Sequence, residues 1–117
     1  MRTSRLLLVT FAFLVACGGG DDNLPDANIS LYKYAGSVQC TGGGMSLPEM
    51  ARQLTDAGIP VLTSTCGYDG YVYVAMCGAG NGRIGIFEVP AAQVHAASAM
   101  GSAPLSNLPE ATKIACS

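Results

Sequence analysis

The chain has 117 residues, half of them hydrophobic, and a formal charge of −2. That length suits one domain, and six Lys and Arg against eight Asp and Glu leave no basic cluster of the kind that displaces counterions from nucleic acid. The same balance gives no electrostatic hold on anionic lipid.

Residues 1–5 are a short positive start carrying Arg2 and Arg5, and residues 6–16 are apolar except for Thr10. That run is too short for a bilayer core of ~30 Å, which takes about 20 residues, and it has the length of an export-signal core. It closes on Leu14-Val15-Ala16-Cys17, which resembles the lipobox of bacterial lipoproteins. The resemblance implies that residues 1–16 are a signal peptide removed before Cys17. It also implies that Cys17 carries a diacylglycerol thioether and that its new amine is acylated. A single acyl chain holds a protein only marginally, whereas two or three hold it firmly. Gly18 stands where an Asp often retains lipoproteins in the inner membrane, so the outer membrane, facing the periplasm, is the expected location.

Five cysteines are an awkward number for an exported protein. Once Cys17 is lipidated, Cys40, Cys66, Cys77 and Cys116 remain, an even set suited to two disulfides in an oxidising compartment. No CxxC pair occurs, so zinc and thioredoxin-like chemistry lack their usual spacing. After cleavage four basic residues (Lys33, Arg52, Arg83, Lys113) face eight acidic ones.

Residues 17–28, with Gly18-Gly19-Gly20 and Pro25, read as a polar tether, and residues 29–117 as the folded unit. Residues 29–40 alternate loosely and predict a strand. Ser46-Leu47-Pro48-Glu49 is a capping-box pattern. Leu47, Met50, Ala51 and Leu54 follow at helical spacing until Gly58. Residues 59–65 predict a strand. Asp69-Gly70 is a turn signal, residues 71–76 alternate Tyr and Val as a strand, and Asn81-Gly82 is a second hairpin signal before a strand over 83–89. Pro90 opens a short Ala-rich helix that reaches about Met100, and residues 112–115 close the chain as a last strand.

This order predicts an α+β two-layer sandwich: an antiparallel-rich sheet of four to five strands, two helices on one face, and disulfide staples. Four cysteines allow three connectivities. If residues 71–76 retrace the strand before them, Cys66 and Cys77 lie ~20 Å apart, beyond the ~4.4–6.8 Å Cα separation of a disulfide. Strand–helix–strand units are usually right-handed and parallel, which puts Cys40 and Cys66 at one edge. Pairing of Cys40 with Cys66, and of Cys77 with Cys116, is therefore favoured.

Chemistry-bearing patterns are sparse. Gly80-Asn81-Gly82-Arg83-Ile84-Gly85 spells GxGxxG, but a strand-like run follows it where a phosphate-binding helix is required. His95 is the single histidine and Ser98 lies three residues on, with no nucleophile elbow. Glu49, Asp56, Asp69, Glu88 and Glu110 show no spacing that pairs two carboxylates. Tyr68, Tyr71 and Tyr73 gather about one turn, with Tyr32 and Tyr34 on another strand. On a shared face they would make an aromatic binding surface, and under a helix they would be core. The Cys66-Gly67-Tyr68-Asp69-Gly70 and Cys77-Gly78 segments resemble those of small uncharacterised proteobacterial envelope proteins, a likeness with no activity attached.

The expectation is a membrane-anchored envelope lipoprotein, not an enzyme, that takes no cofactor or metal. It would act as an interaction or structural module with an envelope protein as partner. The alternative is a small-ligand or inhibitor-type binding domain using the tyrosine-bearing face.

Overall fold

The computed structural model describes residues 27–116. Residues 1–26 and 117 lie outside the described part, and with them the predicted signal peptide, Cys17 and almost all of the tether. The described chain is α+β. In order it forms β1 (Asn28–Tyr34), α1 (Leu47–Asp56), β2 (Thr63–Tyr68), β3 (Arg83–Pro90), α2 (Val94–Ala99), β4 (Ala103–Pro104) and β5 (Thr112–Ile114). The strands make one sheet in the order β4-β1-β3-β2-β5, every pairing antiparallel.

Helix α1 forms where the capping box places it. The Glu49 N–H donates to the Ser46 hydroxyl at 3.2 Å, and the Ser46 N–H donates to the Glu49 carboxylate at 2.9 Å. Two donors that a helix start otherwise leaves orphaned are thereby satisfied. Met50 and Leu54 then point into the sheet and are buried, which stabilises each contact by about 1.5–3 kcal/mol. They meet Leu31 of β1, Phe87 and Val89 of β3, and Ala97 of α2. Both helices therefore cover one face of the sheet, and Lys33 donates to the Met100 carbonyl at the end of α2.

The opposite face is covered too, which the two-layer reading did not include. Strands β4 and β5 sit on opposite edges of the sheet, so the residues between them, 105–111, cross beneath it. Leu105, Leu108 and Ala111 pack there on Tyr32, Ile84 and Ile86.

Residues 71–76 are not a strand, contrary to the alternation in the sequence. Alternation supplies a suitable side-chain pattern, but a strand also needs an unpaired neighbour. Here β2, the strand that residues 71–76 would retrace, already has β3 on one side and β5 on the other. The predicted three-strand meander is accordingly two strands joined by a long loop. Strands β1 and β2 run parallel to each other, as expected, but β3 lies between them. Two boundaries also move: β1 ends at Tyr34 rather than Cys40, and β2 is Thr63–Tyr68 rather than 59–65.

The favoured cysteine pairing falls with the meander. The disulfides are Cys40–Cys77 and Cys66–Cys116, with Cα separations of 5.1 and 5.2 Å. Cys77 lies beside Cys40 instead of at the end of a strand that retraces β2. It ends a loop folded onto the loop that carries Cys40. Non-reducing peptide mapping is expected to return these two links. In the chain-entropy picture, loops of 37 and 50 residues are each worth about 4 kcal/mol, so removing either pair should lower Tm by a comparable amount. A methyl added at Gly67 would fall 2.6 Å from the Thr112 carbonyl and 2.7 Å from Ile86 Cδ1. Gly67→Ala should therefore cost about 1–3 kcal/mol in chemical denaturation and loosen the β2–β5 pairing.

Candidate functional site

At the far end of β2 the chain leaves the sheet through Asp69, whose N–H still donates to the Gly82 carbonyl at 2.9 Å. The Asp69 side chain is buried, with 1% of its surface exposed. Its Oδ1 accepts from the Tyr71 N–H at 2.9 Å, an Asx-type bond to the backbone two residues on. Its Oδ2 accepts from the Tyr34 hydroxyl at 2.9 Å and from the Tyr73 hydroxyl. Three donors thus satisfy a carboxylate that would otherwise be costly to bury. Gly82 makes room for it: a Cβ there would stand 2.7 Å from Asp69 Oδ1 and 2.9 Å from the Tyr73 ring.

Both phenols respond. Loss of solvent around Tyr34 raises its pKa well above the ordinary tyrosine value, and the hydrogen bond to Asp69 adds to the rise. For Tyr73 the hydrogen bond to Asp69 is the larger cause and burial the smaller.

Beyond this anchor, residues 71–76 run without turn or bend, and all six are exposed. Val72 is 97% exposed, Val74 70%, Tyr71 59% and Met76 57%. A second anchor holds the far end. Gln39 uses its carboxamide as a strand uses its backbone: Nε2 donates to the Val74 carbonyl and Oε1 accepts from the Met76 N–H, both at 2.9 Å. The Cys40–Cys77 disulfide lies immediately beyond. Further bonds zip the supporting loops together, among them Gln39 N–H to the Ala79 carbonyl and the Ser37 hydroxyl to Asn81 Oδ1. The result is an apolar loop displayed on the surface and held at both ends.

The tyrosine face is thereby divided. Tyr71 and Tyr73 belong to this loop, and Tyr73 reaches the same carboxylate as Tyr34, whose ring stands edge-on to Tyr32. Tyr68 pairs with Arg83 across β2 and β3 on the helix side of the sheet, with the guanidinium 5.7 Å from its ring centroid. There it lines a groove of about 840 Å³ together with Met45, Glu49, Arg83 and the Cys66–Cys116 bridge.

The remaining candidates do not assemble. His95 and Ser98 are exposed on α2. The GxGxxG letters run from a loop into β3, so no helix follows them. Glu49 caps α1 and Asp69 is taken up by the tyrosines. Among the described residues no three His, Cys, Asp or Glu side chains gather to hold a metal, and no helix is long and apolar enough to cross a membrane. The sequence reading missed Gln39 altogether and took Asp69 for a turn residue. The Asp-x-Tyr spacing was the available signal for Asp69. Comparison with known proteins finds no matching family model, no matching curated protein and no matching solved structure.

Ultraviolet titration should find two of the five tyrosines ionising above the ordinary range. Their folded pKa values are raised, so the stability they contribute is complete below pH ~10 and is lost as pH climbs beyond it. Asp69→Ala should return Tyr73 toward ordinary titration and Tyr34 only in part, because loss of solvent is the larger cause there, and should cost about 2–4 kcal/mol, the scale of losing charge-assisted hydrogen bonds.

Proposed function

We propose that this protein is a lipid-anchored component of a bacterial envelope whose domain is a non-enzymatic binding module, with residues 71–76 as its contact surface. The observation that carries this reading is the loop itself. It is a contiguous, uncharged, apolar stretch, the kind of exposed surface that soluble domains rarely display without a partner. Its two anchors make it a prepared surface rather than a stray one, because a loop already ordered loses little entropy on binding.

The anchor rests on Leu14-Val15-Ala16-Cys17, and the two disulfides are in keeping with an oxidising compartment. Topology adds direction. The chain enters the sheet at Asn28, which pairs with Pro90, while the loop springs from the opposite end, where Tyr34 pairs with Ile84 and Tyr68 with Arg83. Seven residues of strand separate the ends by ~20 Å. A domain tethered through its N-terminus can thus hold the loop away from the lipid. A second reading, a small ligand in the groove beside Tyr68 and Arg83, has the cavity in its favour, which lies within the ~300–1,000 Å³ typical of ligand sites.

In the native host, wild type is expected to incorporate labelled fatty acid and to fractionate with membrane, and Cys17→Ser to do neither. A photo-crosslinking residue at position 72 should give a discrete protein adduct in envelope, whereas the same residue at exposed position 56 on α1 should not. Absence of label in wild type removes the anchor, and absence of an adduct at 72 removes the loop as the contact surface.

A further inference from the structure

We infer that the Cys40–Cys77 disulfide is a reducible latch on residues 71–76. Closed, it holds them on display; opened by a dithiol, it lets them go while the sheet stays folded. The inference rests on the binding-module reading and adds the control of its contact surface.

The two disulfides sit in different surroundings. Cys66 is half-buried in β2 and pairs with Ile114 of β5, two residues before Cys116. The β2–β5 ladder therefore keeps that pair together whether its bond is open or closed. Cys40 and Cys77 are both exposed and lie outside every strand and helix. Cys40 is also the one non-glycine residue with a positive φ among the described residues, 75°, a left-handed conformation that a side chain disfavours. Exposed or strained bridges are the labile ones in exchange with external thiols.

What the Cys40–Cys77 bond joins can come apart without breaking the core. No residue of 36–44 or 70–82 belongs to either apolar cluster. The contact is polar and runs mainly through Gln39, the neighbour of Cys40. Its N–H donates to the Ala79 carbonyl, and its carbonyl accepts from the Gly78 N–H. Its carboxamide holds Val74, Met76 and Gly80 through exposed bonds. Water competes for such bonds, so each contributes little by itself, and segments held this way are the first to open. At the other end of the loop Asp69 is buried and bonded to Tyr34 of β1, and that anchor does not depend on the disulfide. Opening the bond therefore frees residues 74–80 and leaves the start of the loop attached.

The exchange takes two steps. A thiolate of the dithiol attacks one sulfur of the bridge, forms a mixed disulfide with it and expels the other cysteine as a thiolate. The dithiol's second thiolate then attacks its own sulfur in the mixed disulfide and expels the first cysteine. Two electrons pass to the bridge, the dithiol ends as a disulfide, and its two protons end on Cys40 and Cys77.

The test takes the oxidised full chain with Cys17→Ser through a dithiothreitol titration, quenched by alkylation and read by peptide mapping. Cys40 and Cys77 should be alkylated about tenfold faster than Cys66 and Cys116. In the one-bridge species, amide exchange at Gln39, Met76 and Gly78 should quicken about 100-fold, while the β1–β3 ladder stays protected. Cys40→Ser combined with Cys77→Ser should show the same opened pattern without reductant. In envelope, dithiothreitol should weaken the adduct at position 72 about tenfold, because a loop that must be ordered on binding binds less well. The inference is overturned if Cys66–Cys116 opens first or at the same rate, if Gln39, Met76 and Gly78 keep their protection in the one-bridge species, or if the β1–β3 ladder loses its own. An adduct equally strong in oxidised and reduced envelope also overturns the latch, and it keeps the contact surface. Amide exchange that opens as expected, with no adduct in either state, keeps the latch and removes the contact surface.

Discussion

The C-terminal segment takes both outer edges of the sheet, and the remaining architecture follows from that. After α2 the chain adds β4 beside β1, crosses under the sheet, and adds β5 beside β2. Exposed edges are a liability that short edge strands limit, and the strap leaves strands of two and three residues as the outermost ones. The cost of that closure falls on residues 71–76. Their side chains alternate as a strand's should, but β2, the strand they would retrace, is paired on both sides, and they leave the sheet as a displayed loop.

A loop of six exposed residues would ordinarily fray. Here polar bonds replace the missing ladder. Asp69 sits where β2 ends, and its carboxylate gathers a backbone N–H and two phenols, so the start of the loop is tied to β1 through Tyr34. Gln39 imitates a neighbouring strand at the other end. The chemistry is that of a sheet, carried out by side chains. The Asp69 anchor tolerates little change of shape, as the close fit of Gly82 against Asp69 and Tyr73 indicates.

Signals in the sequence specify structure where the physics is local. The Ser46–Glu49 box, the Met50 and Leu54 stripe, Gly58 with its positive φ, and the β-branched run of β3 each specify their element within a few residues. Two disulfides among Cys40, Cys66, Cys77 and Cys116 were legible only once Cys17 was set aside by its resemblance to a lipobox cysteine. Which cysteine meets which was not, because it depends on a loop's path, and that path depends on whether a strand finds an edge. The same distance in sequence hid the site. Tyr68 and Tyr71 look like neighbours, but strand alternation sends Tyr68 to the helix face. Tyr34 and Asp69, 35 residues apart, share a bond that no spacing announces. Nothing in the primary structure marks Gln39 as a strand mimic.

The two disulfides overlap along the chain: Cys66 lies inside the span closed by Cys40 and Cys77, and Cys77 lies inside the span closed by Cys66 and Cys116. A single backbone scission anywhere between residues 40 and 116 is therefore bridged by at least one sulfur–sulfur bond, and scission within 71–76 is bridged by both. Fragments of such a nicked molecule would stay joined. A chain that exposes residues 71–76 to solvent thereby stays one covalent piece after a first cut there.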